Sequence, residues 1–399
     1  LKGGDPCVFG RLGEEMQALK ANGIRYGVVP GISSAIAVPA YAGIPLTHRE
    51  LSRSFSVVTG SLKAGDNVSE LPIPNADTLV FLMAVTGLET IVARVLEETS
   101  MSSDTPAALI YRGTTAAQKT VVGTLDTIVE LRDMHDMKPP SILVIGGVAG
   151  LAPDLDWRSD FPLAGRRCVV LRSVEQSQEL VTRLSGLGAD VMPIPMIRIL
   201  PDETQMARIN ADLLAPVTHF IFTSPAGVRL FMAAIQANGG DARTLAGKVI
   251  VAVGPKTKQT LMSHGLNADY VAQTAQQEGV LDCLPETMTA QTVLLPISAQ
   301  ARPVLADTCK ARGADVISVP LYSPAKPDQF LGTIEDGDIV FFTSSSTVKH
   351  FVESGLYTGQ KIEAVCLGPI TAETLRVSGI DCKVAKSPTI DSLIELVLD

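Results

Sequence analysis

Short continuous apolar runs and Ala-rich amphipathic stretches alternate along most of the chain, and the alternation predicts an α/β protein. In the first section the runs 26–29, 54–59, 78–83, 107–111 and 141–145 predict strands, and the stretches 13–22, 33–42, 88–98 and 126–132 predict helices. A segment rich in Pro, Asp and Arg around 152–165, containing the single tryptophan Trp157, predicts a linker. Beyond it the apolar runs 167–172, 220–223, 249–253, 292–295, 339–343 and 364–367 do not alternate, as befits parallel strands covered on both faces.

This second section repeats itself. Gly188-Ala189-Asp190-Val191 recurs 125 positions on as Gly313-Ala314-Asp315-Val316, Phe222-Thr223-Ser224 recurs 120 on as Phe342-Thr343-Ser344, and Gly254-Pro255 recurs 114 on as Gly368-Pro369. Ordered matches with shrinking offsets predict one duplicated unit with small deletions. Each copy reads strand, helix, strand, a Pro-containing crossover, then strand, helix, strand, helix. Two similar lobes follow, joined through 195–201 and 320–327, with a ligand cleft expected between them.

Length and charge narrow the function. At roughly 100 to 200 residues per domain, 399 residues suit two to four compact units. With 46% hydrophobic and 19% charged residues the chain is not disordered, and a net charge of −9 disfavours nucleic-acid and anionic-membrane partners, which need a basic face. No run approaches the ~18 apolar residues of a membrane span. Cys7, Cys168, Cys283, Cys309, Cys366 and Cys382 lack paired spacing and sit mostly in apolar runs, which points to a reducing, cytoplasmic location. No His is accompanied by Cys, Asp or His at ligand spacing, so no metal site is expected.

The candidate chemistry lies in turns. Gly3, Gly4 and Asp5, followed by Val8, form a glycine loop that a ligand can approach closely, and Ser33 and Ser34 begin a helix whose N–H groups face a carboxylate or ribose. Serine caps also serve helices with no ligand at all. In the second section Thr223-Ser224, Gly254-Pro255-Lys256, Ser298 with Arg302, Thr343-Ser344-Ser345, and Pro369 with Thr371 place hydroxyls and amides at helix starts behind buried strands. Five such turns suit a polyanion held by amides more than by net positive charge.

The first section resembles the tetrapyrrole methylases, uroporphyrinogen-III C-methyltransferases in particular. The resemblance rests on the string 1–11, on Val28-Val29-Pro30-Gly31-Ile32-Ser33-Ser34, on 40–49, 78–83, 113–118 and Gly123-Thr124-Leu125, and it ends near Trp157. It implies S-adenosylmethionine as cofactor, with Gly3, Gly4, Asp5, Val8, Ser33, Ser34, Met83 and Gly113 at matching positions, and a dimeric assembly. The family begins with a Gly-Pro-Gly-Asp loop and carries its proton-handling Asp and Lys upstream of Gly3. Here the chain opens on Leu1-Lys2-Gly3, inside a motif, which predicts a fragment with an incomplete first domain that does not methylate by itself. Ser61 and Ala84 also replace the family's usual His and Gly.

The second section resembles uroporphyrinogen-III synthase over 165–399, through the Phe-Thr-Ser turn, the Gly-Pro-x-Thr turn and the Gly-Ala-x-Val segment followed by Tyr322. The resemblance implies a two-lobed fold with parallel sheets, lobe 1 at 165–200 and 325–399, lobe 2 at 201–324, behind a methylase part at 1–157 and a linker at 158–164. It implies closure of hydroxymethylbilane to uroporphyrinogen III with loss of water and inversion of the last ring, without metal or organic cofactor. Tyr322 matches the family's proposed proton donor, although a tyrosine packing a hinge is an equal alternative. The substrate's eight carboxylates would be met by the turns together with Arg302, Lys256 and Lys349. The product of the second part is then the substrate of the first. Alternatives are a two-lobed anion-binding protein without catalysis, a methylase remnant that only binds S-adenosylmethionine, and an RNA-directed methylase, which the acidity disfavours.

Overall fold

The computed structural model describes residues 2–60, 71–274 and 276–398, so Leu1 and Ser61 lie outside the described residues. The first section contributes strands β1 (Phe55–Thr59), β2 (Thr78–Leu82), β3 (Pro106–Tyr111), β4 (Lys119–Thr124) and β5 (Ser141–Ile145). They form one sheet in the order β1-β2-β5-β3-β4, with β1 and β2 parallel and the remaining pairs antiparallel. Helix Leu88–Glu98 buries Leu88, Ile91, Val92 and Val95, the i, i+3, i+4, i+7 stripe that seats a helix on a sheet.

The expected strand at 26–29 does not form. A strand needs a hydrogen-bonding neighbour, none of the described strands pairs with this segment, and Val29 stays 84% exposed. The segment around Trp157 does not run free as a linker would. The indole Nε1 donates to Ala40 O at 3.0 Å, the ring packs edge-on against Tyr41 and Phe161, and Leu163 is buried with its N–H on Leu187 O at 3.0 Å.

The second section adds β6 (Arg167–Val170), β7 (Asp190–Pro193), β8 (Arg198–Pro201), β9 (His219–Phe222), β10 (Val249–Ala252) and β11 (Tyr270–Val271). The second sequence copy follows with β12 (Thr292–Ser298), β13 (Asp315–Ala325), β14 (Ile339–Phe342), β15 (Glu363–Cys366) and β16 (Cys382–Val384). Two sheets result, β16-β15-β14-β6-β7 and β11-β10-β9-β12-β13-β8. Every pair is parallel except β13 with β8. The five-stranded sheet therefore takes two strands from the first sequence copy and three from the second, and the six-stranded sheet takes four from the first and two from the second. The Pro-containing crossovers are themselves ordered, because β8 and the end of β13 pair antiparallel with Tyr322 opposite Pro201.

The contacts divide the chain into two units, 1–193 with 332–348 and 355–399, and 194–331 with 349–354. In the second unit Phe220, Phe222, Phe231 and Val228 fill the space between sheet and helix Pro225–Ala237, with Phe231 5.4 and 5.5 Å from the rings of Phe220 and Phe222. Among the described residues no helix is long and apolar enough to cross a membrane.

Candidate functional site

The carboxyl ends of β9, β10 and β12 carry the first constellation. Thr223 and Ser224 lead from β9 into helix Pro225–Ala237, and Ser224 Oγ accepts the Gly227 N–H at 3.0 Å. Pro225 occupies the first helical position, where no N–H is needed. The same serine oxygen lies 2.8 Å from the Tyr322 hydroxyl. Tyr322 is 7% exposed, its ring in the phenylalanine core and its backbone oxygen accepting the Ala299 N–H at 2.8 Å.

Gly227 lets these parts close up. A Cβ there would stand 2.7 Å from the Pro296 carbonyl oxygen, so the helix start presses on β12 only without a side chain. A bulge between Ile297 and Ser298 then aligns Ser298 with Tyr322. Val253 N–H donates to Phe222 O at 3.0 Å, which starts the Gly254-Pro255-Lys256 turn beside Thr223. Thr223, Ser224, Gly254, Ser298 and Tyr322 are thus gathered at one end of one sheet. Arg302 is engaged elsewhere: its guanidinium donates to both Glu278 oxygens at 2.9 and 3.2 Å, so an anion at Arg302 has to displace that carboxylate.

The copied turns lie in the other unit. Ser344 Oγ accepts the Thr347 N–H at 3.3 Å, and Ser345 Oγ donates to Ile370 O at 3.3 Å, which joins the Thr343-Ser344-Ser345 turn to the Pro369–Thr371 turn. Gly368 is extended and Thr371 is buried. Two turns that the sequence suggests independently are one surface here.

In the first section a cavity of about 1410 Å³ is lined by Val8, Ser34, Met83 and Gly113 among the candidates. A Cβ on Gly113 would overlap Val38 Cγ1, so backbone forms this part of the wall. Gly3, Gly4, Asp5 and Ser33 are not among the lining residues. Asp5 Oδ1 accepts Cys7 N–H at 2.7 Å and its Oδ2 accepts Gly31 N–H at 3.0 Å, which clamps the first loop to the second. These N–H groups, Gly31 foremost and then Cys7, hold the Asp5 carboxyl below its ordinary value. Ser33 accepts the Ala35 N–H at 3.2 Å and caps helix Ser34–Tyr41. The carboxylate and the first serine position the loops, and their neighbours face the space.

Two further residues take part without a local motif that marks them as site residues. Val38 decides whether position 113 must be glycine, and Asp190 lines the same cavity from the second section. Asp190 does carry a signal, because it sits in the repeated Gly-Ala-Asp-Val.

A family model described as "Uroporphyrinogen-III synthase HemD" matches residues 178–395, and one described as "Tetrapyrrole (Corrin/Porphyrin) Methylases" matches 1–129. A relative named "Porphyrin biosynthesis protein HemD" from Ruminiclostridium josui is 32% identical over 415 residues, covering 100% of this chain and 81% of its own length. A uroporphyrinogen-III C-methyltransferase of Bacillus subtilis is 38% identical over 259 residues, 63% of this chain and 52% of its own, so the chain spans about half the length of that relative. Among solved structures, uroporphyrin-III C-methyltransferase from Thermus thermophilus complexed with S-adenyl homocysteine is 31% identical at a TM-score of 0.32, over 37% of this chain and 65% of that one.

Proposed function

This chain belongs to the uroporphyrinogen-III synthase HemD family and carries a tetrapyrrole methylase segment ahead of it, and on that premise we propose that it cyclises hydroxymethylbilane to uroporphyrinogen III with Tyr322 as proton donor. The observation that carries the assignment is the Tyr322 hydroxyl held 2.8 Å from a helix-capping serine at the carboxyl ends of parallel strands.

The hydroxymethyl oxygen leaves as water when it is protonated while its C–O bond breaks, and the adjacent pyrrole nitrogen shares the resulting cation. Gly227 N–H already donates into Ser224 Oγ, so the serine hydrogen can point to the phenolic oxygen. That orientation leaves the phenolic hydrogen for the substrate and sets a donor against the negative charge left after transfer. The N-terminal dipole of the 13-residue helix acts in the same sense. Closure with inversion forms a C–C bond at the substituted α-carbon of the last ring, breaks that carbon's original bond to its methylene bridge and re-forms the bridge at the ring's free α-carbon, whose proton returns to Tyr322, so water is the sole by-product. The amides and hydroxyls at Thr223, Gly254, Lys256 and Ser298, the Arg302 guanidinium once Glu278 is displaced, and in the copied turns the groups at Thr343, Ser344, Ser345 and Thr371, with Pro369 shaping the last turn, serve as carboxylate cradles.

For the first section the cavity is large enough for an adenosyl ligand, and glycine backbone at Gly113 offers the close approach such a ligand needs. We place S-adenosylmethionine there, against Val8, Ser34, Met83 and Gly113; when bound it supplies an electrophilic methyl group. The corresponding boundaries are 1–157 for the methylase part and 165–399 for the synthase, in the cytoplasm.

The deciding assay starts from hydroxymethylbilane and separates the oxidised products as isomers I and III. Isomer III is expected to dominate, and isomer I alone, the product of spontaneous closure, would sink the synthase assignment.

A further inference from the structure

The loop 112–118 forms one wall of the first-section cavity and is held in an unfavourable shape. Arg112 and Thr114 have φ of 43° and 73°, left-handed values that cost about 1 kcal/mol or more each for such residues. Neighbours hold it from several sides. Thr114 N–H donates to Gln118 Oε1 at 2.8 Å, Gln118 Nε2 donates to Tyr41 O at 3.0 Å, and Arg158 Nη2 donates to Thr115 O at 3.2 Å. One anchor comes from the second section: Asp190 Oδ2 accepts the Ala116 N–H at 3.0 Å across 74 residues of sequence.

The internal duplication supplies a control. Asp190 and Asp315 occupy the same place in the repeated motif, each following a glycine with positive φ. Their backbone N–H groups make the same bond, to Arg166 O at 3.0 Å and to Gln291 O at 2.9 Å. Among the described residues Asp315 is exposed and its carboxylate has no hydrogen-bond partner, whereas that of Asp190 reaches the Gly113 loop. The α/β unit evidently forms without that carboxylate, so the bond at Asp190 is an addition to it.

We propose that Asp190 is a positioning residue for the cofactor cavity, and that through it the synthase part sets the affinity of the methylase part for S-adenosyl compounds. The proposal rests on the assignment of this cavity to an adenosyl ligand. Gly113, Asp190 and Arg167 all line the cavity, so its wall is built jointly by the two parts.

Calorimetric titration of the full chain with S-adenosylhomocysteine tests it, with hydrogen exchange at the Ala116 amide as a second readout. Asp190→Ala is expected to raise Kd about tenfold, the equivalent of 1.4 kcal/mol, and to speed exchange at Ala116. Asp190→Asn keeps an acceptor oxygen and is expected to restore most of the affinity, a rescue that separates positioning from general damage. Asp315→Ala is expected to leave Kd unchanged. Tight binding by the wild type that Asp190→Ala does not weaken overturns the proposal alone. Absence of binding by the wild type overturns the adenosyl assignment and the proposal with it.

Discussion

Ser224 Oγ and the Tyr322 hydroxyl meet at 2.8 Å although 98 residues separate them in sequence. One serine thus serves two partners, the Gly227 N–H of its own helix and the phenol of a distant strand. Tyr322→Phe is expected to lower kcat for isomer III by roughly 100-fold or more, the scale of a lost general acid. Ser224→Ala is expected to lower kcat about tenfold and stability by about 1 kcal/mol, the ordinary cost of a lost cap. In a Tyr322→Phe background Ser224→Ala should cost stability with no further loss of kcat; an equal second loss of kcat would show that the serine acts independently of the tyrosine.

Gly227→Ala introduces a methyl group 2.7 Å from a backbone carbonyl that cannot swing aside. Although alanine is the better helix former by about 1 kcal/mol, overpacking of this kind costs ~1–3 kcal/mol. Thermal unfolding should show a lower Tm, accompanied by a fall in synthase activity because the Tyr322 pocket is displaced.

At position 113 the obstruction is a side chain, and that makes it reversible. Gly113→Ala is expected to weaken S-adenosylhomocysteine binding, since the new Cβ overlaps Val38. Adding Val38→Ala should recover much of the loss in the same titration.

Glu363 is paired with Arg166 at 2.6 Å and Lys383 at 2.8 Å, beside the start of β15. Burial pushes its carboxyl upward, but Lys383 and Arg166 together outweigh burial and leave it below its ordinary value. A carboxyl so depressed stabilises the fold above its unfolded-state pKa, about 4.3, and loses that contribution as pH falls through the lower folded value. Glu363→Gln should therefore cost about 1 kcal/mol or less at pH 7 for a partly exposed pair. Denaturant titrations of variant and wild type should converge as pH falls below the lowered folded-state value of Glu363.

The sequence discloses the lobes well because their strands are continuous apolar runs, a pattern that depends on nothing distant. It misleads at 26–29, where an apolar run has no partner among the described strands, and it misses β4, an edge strand with polar Lys119, Thr120 and Thr124 that pairs antiparallel with β3. Prolines hide β8 and the end of β13, although both are paired. Ser224 is recognisable as a cap from the residues around it, and Tyr322 only through family resemblance. Their meeting depends on the pairing of β13 with β12 and β8, which no local pattern encodes.

The mixing of sequence copies within each sheet sets when each sheet can be completed during synthesis. Of the strands in these two sheets, β6 and β7 leave the ribosome first and wait for β14 to extend their sheet; Arg167 and its partner Asp338 are 171 residues apart. The strands β8 to β13 meanwhile form a contiguous stretch that can close on itself. The lobe that starts first finishes last, and a chain cut between the two copies leaves both sheets incomplete, restorable only by complementation between the halves.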